Sequence, residues 1–276
     1  MRQLRLMVTA DIVESLRTRW FLVYLLVFGG LMSTLFLFGL TESRVMGFTG
    51  LSRLMLTYIQ LTMAILPVFI LITTVRSVAG DREAGVFEYL LSLPVGLGAW
   101  YWGKLMGRFL VVFLPVVAAL AAGVAWGALV KGAAVPWALV LYYCGLIMSL
   151  SACFLGIAVL ISSLARSSDL AQGTAFLVWL LFLLFIDLVL LGVMVKQQLP
   201  PETVVAIALA NPLQVFRTAA MMLFDPKLVI LGPSAYVILD HIGRTGYMAY
   251  ALVYPLVLGL LAAFLGYLVF RRSDLP

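Results

Sequence analysis

Six long apolar runs dominate this chain and leave it few ways to fold. They cover Trp20–Leu40, Leu54–Val75, Phe109–Val130, Trp137–Leu164, Ala171–Val195 and Met248–Phe270. Each is long enough for a helix to cross a hydrocarbon core of about 30 Å. Lipid offers no partner to an open strand edge, so each run must be helical. A transmembrane barrel would instead show alternating segments of about 10 residues. Of 276 residues, 64% are hydrophobic and 11% charged, against about 45–50% and about 25% in soluble domains. A soluble enzyme, a DNA-binding domain, a disordered tail and a disulfide-stapled mini-protein are therefore excluded. The expected fold class is all-α, a polytopic membrane protein with six transmembrane helices.

The flanks of these runs carry the remaining information. Residues 1–19 hold Arg2, Arg5, Arg17 and Arg19, with Ile12, Val13, Leu16 and Trp20 at helical spacing. This predicts an amphipathic helix on the membrane surface, ahead of a six-span domain over 20–276. A cleaved signal peptide fits poorly, because the apolar run starts late and is too long. The net charge is +6. The basic residues sit beside apolar runs, so the excess points to a membrane boundary and not to nucleic acid. With the N-terminus inside, eleven basic residues flank the inner side and seven the outer. Both termini are expected in the cytoplasm of an inner membrane. Two connections are long: 76–108, facing inward, and 196–247, facing outward with short helices set off by Pro-containing turns.

Catalytic chemistry is hard to find. Gly98 to Lys104 fits a phosphate-loop spacing, but Leu105 stands where Ser or Thr should bind magnesium. Trp100-Tyr101-Trp102 suits a membrane-interface belt better than a backbone cradle. His241 is the single histidine. Cys144 and Cys153 are nine residues apart, on opposite sides of a helix. No metal site, bound cofactor or catalytic group is expected in this chain. Gly103-xxx-Gly107 and Ala152-xxx-Gly156 allow close helix contact. Asp187 is the one ionisable residue well inside an apolar run, sharing a face with Leu184 and Leu191. It reads either as a gate or as a helix-packing anchor.

The most informative segment runs from Gly80 to Pro94. Asp81, Arg82, Glu83 and Glu88 carry its charge, Val86, Phe87, Leu90 and Leu91 its apolar face, and Pro94 ends it. Physics alone allows a docking element or a passive connector.

Asp81-Arg82-Glu83-Ala84-Gly85, then Glu88, Leu90-Leu91, Pro94 and Gly103-Lys104, resemble the coupling segment of ABC-2-type permeases. Val86 stands where that family often has Thr, and Leu97-Gly98 lack its usual polar residue. The resemblance implies that Asp81, Arg82, Glu83, Gly85, Glu88 and Pro94 dock a separate cytoplasmic ATPase, in two copies, which holds ATP and magnesium. It also implies a second copy of this chain. The turn Arg166 to Asp169 is a second expected cytoplasmic contact. Phe185 to Leu191, Asn211-Pro212 and Phe270-Arg271-Arg272 are similar to the branch of that family serving nitrous oxide reductase maturation. That branch implies a periplasmic β-helical partner, docked through Asn211, Pro212, Phe216 and Arg217, and a sulfur species or copper as cargo. A generic exporter of lipid, drug or peptide is the alternative within the family. A secondary transporter or channel is the alternative outside it, and an integral-membrane enzyme lacks its residues.

Overall fold

The computed structural model describes residues 2–17, 19–39, 50–87, 96–132, 134–185, 201–222 and 243–272. These are helical, joined by short turns, and no strand occurs among them. We label the helices α1 (Arg2–Arg17), α2 (Arg19–Gly39), α3 (Gly50–Thr74), α4 (Arg76–Glu83), α5 (Leu97–Lys131) and α6 (Trp137–Leu164). There follow α7 (Ser168–Leu180), continued by a π-helical turn at Leu181–Phe185, then α8 (Pro201–Ala210), α9 (Pro212–Met222) and α10 (Arg244–Arg272).

Four stretches are long and apolar enough to cross a membrane: Met55–Glu83, Leu97–Val130, Trp137–Leu164 and Arg244–Arg272. They coincide with four of the six expected spans. The first expected span falls on α2, a helix of 21 residues. The fifth falls on the apolar helix Ser168–Leu184, and its remainder, with Asp187, lies outside the described residues. Helix α5 starts at Leu97, so Lys104 and Arg108 stand on its first turns and not in a loop.

Small residues decide how the helices meet. Inside a bilayer the lipid is as apolar as leucine, so close backbone packing and polar contacts hold helices together. A Cβ on Gly156 would stand 1.9 Å from the Gly259 carbonyl oxygen, and one on Gly259 would stand 2.3 Å from that of Ala152. Thus α6 and α10 touch backbone to backbone at the Ala152-xxx-Gly156 pair. Buried hydroxyls add anchors: Ser149 Oγ donates to the Leu252 carbonyl at 2.6 Å, and Tyr101 Oη to that of Ala263 at 2.7 Å. Tyr24 and Tyr58 donate to the Val112 and Val116 carbonyls of α5, each at 2.8 Å.

Helix α1 meets the bundle through one face. Its inward face is Met7, Asp11 and Ser15, set four residues apart. Gly103 and Gly107 of α5 make room for Met7 and Asp11. Leu6, Val13 and Leu16 point outward and stay exposed. The polar side meets protein because the half-buried Arg108 waits there, and the apolar side stays exposed.

Candidate functional site

Every described charge of the coupling segment converges on one end of the bundle. The path starts at the break between α3 and α4. Val75 interrupts the helix as a turn, and backbone groups near a break need outside partners. Ser162 of α6 supplies one: its Oγ accepts from Val78 N at 2.9 Å and Ala79 N at 3.0 Å. Arg108 of α5 supplies another, donating from Nη1 to the Thr73 carbonyl at 3.1 Å. The junction of α3 and α4 is therefore held from two neighbouring helices.

Beyond the junction, α4 projects three consecutive charged residues in three directions. Asp81 forms an ion pair with Lys104 on α5, and the ammonium lies 5.0 Å from the centre of the Trp100 ring. Arg82 Nη1 donates to the Ala165 carbonyl at 3.3 Å, one of the orphan acceptors that end α6. Glu83 accepts a hydrogen bond from the Ser168 hydroxyl at the start of α7. Ser167 caps that helix, accepting from Leu170 N at 3.2 Å. Arg76 approaches Asp169 at 3.5 Å, but the two side chains are 53% and 92% exposed, so this pair contributes little. Helix α4 thus bridges α5 and the α6–α7 turn.

Gly85, at φ 67°, takes the left-handed turn that a side chain would resist. The turn delivers Phe87 into an aromatic cluster. Its ring centre lies 5.1 Å from Trp100 and 5.4 Å from Phe270, and Tyr101 stacks on Phe270 at 5.7 Å. Phe87, Trp100, Tyr101 and Phe270 are all buried. Trp100 and Tyr101 are therefore core residues tying α4 to the end of α10, and not the interface belt expected of them. Gly98 to Lys104 form helical turns of α5 and not a phosphate loop.

A second layer lies under the cluster. Asp11 of α1 is buried and accepts from Arg108 Nε at 3.1 Å. Burial raises the Asp11 carboxyl above the ordinary carboxylate range, against the pull of Arg108. Arg108 therefore joins α1, α3 and α5 through one side chain.

Of the sequence-derived site, Asp81, Arg82, Glu83 and Gly85 meet here with the Arg166–Asp169 turn, where Arg166 is exposed. Glu88, Pro94 and Asp187 lie outside the described residues. Asn211, Pro212 and Phe216, expected on a docking surface, are buried instead. Asn211 Oδ1 caps α9 by accepting from Leu213 N at 3.0 Å, and its Nδ2 donates to the Phe182 carbonyl at 2.8 Å. That carbonyl lies in the π-helical turn, where the α-ladder is interrupted. Phe216 fills the core beside it. Arg217 is half-buried, with Nη2 donating to Gln214 Oε1 at 2.6 Å. Sequence reasoning missed Ser162, Lys104 as an ion-pair partner and Arg108, and placed Ser168 in a contact turn without its Glu83 partner. Ser162-Ser163 in an otherwise apolar run was the available signal.

The family model for ABC-2 family transporter proteins matches residues 7–275. A probable ABC transporter permease protein NosY from Pseudomonas aeruginosa is 29% identical over 220 residues, covering 78% of this chain and 80% of that protein. The protein of the same name from Stutzerimonas stutzeri is 29% identical over 222 residues, with the same shares, 78% and 80%.

Proposed function

Because the chain belongs to the ABC-2 family of transporter proteins, we propose that it is the membrane subunit of an ATP-driven transporter, moved through α4 by a separate ATPase. The observation that carries this reading is the bridge made by α4. Asp81, Arg82 and Glu83 tie it to α5, to the end of α6 and to the start of α7. A push on α4 or on the adjoining 84–95 segment therefore reaches three helices at once. The subunit itself is not the catalyst. ATP and magnesium are held by the ATPase, two copies of which serve a pair of these chains.

In this reading the chain has six spans, with both termini in the cytoplasm of an inner membrane. The likeness to NosY proteins favours a role in maturing periplasmic nitrous oxide reductase. A periplasmic β-helical partner would then receive a sulfur species, or copper handling would be the task. Since Asn211, Pro212 and Phe216 are buried, that partner would dock on other parts of the outer segment, 196–247.

The test is a mild-detergent pull-down of the tagged chain from native membranes, with partners identified by mass spectrometry. An ATPase with a β-helical periplasmic protein is the expected result. An ATPase alone favours a general ABC-2 exporter, and no ATPase refutes the coupling role. In the reconstituted complex, Glu83→Lys should reduce transporter-stimulated ATP hydrolysis while the chain stays folded.

A further inference from the structure

Two adjoining cavities beside the junction of α3 and α4 have no part in the function proposed above. The first, of about 230 Å³, is lined by Arg76, Arg108, Thr73 and Gln172 at its polar end, with Tyr24 and Phe69 opposite. The second, of about 270 Å³, lies between α3 and α7 and is lined by Leu71, Phe176 and Trp179 among others. Ile72 and Gln172 line both, so the two cavities are neighbours across these side chains, the first with two arginines in its lining and the second without.

The polar groups ask for an acceptor. Arg108 spends Nε on Asp11 and Nη1 on Thr73, and a guanidinium has five N–H donors. Asp11 offsets the charge of Arg108, so Arg76 carries the surplus. Its contact with Asp169 is long and exposed, which makes it readily exchanged for a better partner. In the second cavity the Trp179 side chain forms part of the wall. The walls open sideways: Ile72 is 41% and Phe176 52% exposed. In a membrane-spanning chain such apolar exposure faces acyl chains.

We propose that this space binds an anionic phospholipid. Its phosphate sits on Arg76 and Arg108, and an acyl chain runs along Ile72, Phe176 and the Trp179 ring. The charge pattern selects this occupant. A purely apolar filler, such as an apolar helix face of a second copy, would leave the arginines unanswered. A free anion would answer the arginines and leave the second cavity empty. Arginine forks hold phosphate oxygens in pairs, and basic residues at this level attract anionic headgroups.

Native mass spectrometry of the full chain in detergent, after delipidation, tests this without any ATPase. The probes are phosphatidylglycerol, phosphatidylcholine with the same chains, and glycerol 3-phosphate. The parent should retain phosphatidylglycerol about fivefold better than phosphatidylcholine, the size of one basic group's attraction. Arg76→Gln should lose that preference, and it removes an exposed side chain, so the fold should survive. Phosphatidylglycerol brominated on its acyl chains, added at one equivalent, should quench tryptophan fluorescence, and Trp179→Phe should abolish the quench. Equal retention of both lipids by parent and Arg76→Gln would overturn the proposal. So would binding of glycerol 3-phosphate as tight as that of the lipid, or a dimer that excludes added phosphatidylglycerol until it is dissociated.

Discussion

Asp11, near the middle of the first helix, and Arg108, three turns into α5, form an ion pair at 3.1 Å with the carboxylate almost wholly buried. The pair holds α1 against the bundle, and Arg108 passes the hold on to the junction after Thr73. Removing one partner of a buried pair costs about 3–5 kcal/mol, because the other charge is left without compensation. Arg108→Met should therefore destabilise the detergent-solubilised protein by about that amount, read from thermal loss of helicity. The sign of its pH dependence follows from Asp11. Burial raises its folded pKa, so its stabilising balance holds at acid pH and is lost as pH rises through that value. Without Arg108 the rise is larger, so the deficit of Arg108→Met should shrink on acidification. Asp11→Asn combined with Arg108→Met should recover most of the loss. A deficit unchanged by pH would contradict the pairing.

The α6–α10 contact gives a sharper packing test. Gly156 meets the Gly259 backbone, which cannot yield as a flexible side chain could. Gly156→Ala should cost about 1–3 kcal/mol through overpacking. Gly173, with nothing within 4 Å of an added Cβ, should accept Ala with no loss. Equal thermal stability of the two variants would argue against the close approach.

Asn211→Ala separates a structural role from a docking role. It removes the cap of α9, worth about 0.5–2 kcal/mol, and leaves the Phe182 carbonyl unpaired, for about 1–3 kcal/mol more. Asn211→Ser keeps a neutral cap acceptor and loses the donor to Phe182, so its loss should be smaller. Both effects should appear in thermal unfolding of the isolated chain. A stable Asn211→Ala variant that fails only in partner binding would restore the docking assignment.

The sequence announced the helices but not their faces. Apolar runs are long-range signals, and four of them coincide with span-length helices. For α1, periodicity marks an apolar stripe without saying which side meets protein. In lipid, the stripe that faces protein can be the polar one, as Asp11 and Ser15 are. The charges at 81–83 stood out for their density after an apolar run. Their partners Lys104, Ala165 and Ser168 lie at least twenty residues away, and spacing alone says nothing of such pairings. Trp100 and Tyr101 were assigned to an interface by composition, since Phe87 and Phe270 become their neighbours only through the fold.

The Asp81–Lys104 ion pair offers the last test, of the link between α4 and α5. Asp81→Lys would place two cations together beside Trp100, where the site is half-buried and like charges repel strongly. This variant should lose ATPase stimulation in the reconstituted complex. Lys104→Asp alone should do the same. The double swap restores an ion pair in the reverse sense and should recover at least half of the stimulation. Recovery depends on contact between the two residues, because double-mutant coupling arises between neighbours and fades for distant sites. If the ATPase itself reads Asp81 as an anion, the swap would fail while the fold survives. That outcome would move Asp81 from the internal bridge to the docking surface, leaving Arg82 and Glu83 to carry the bridge.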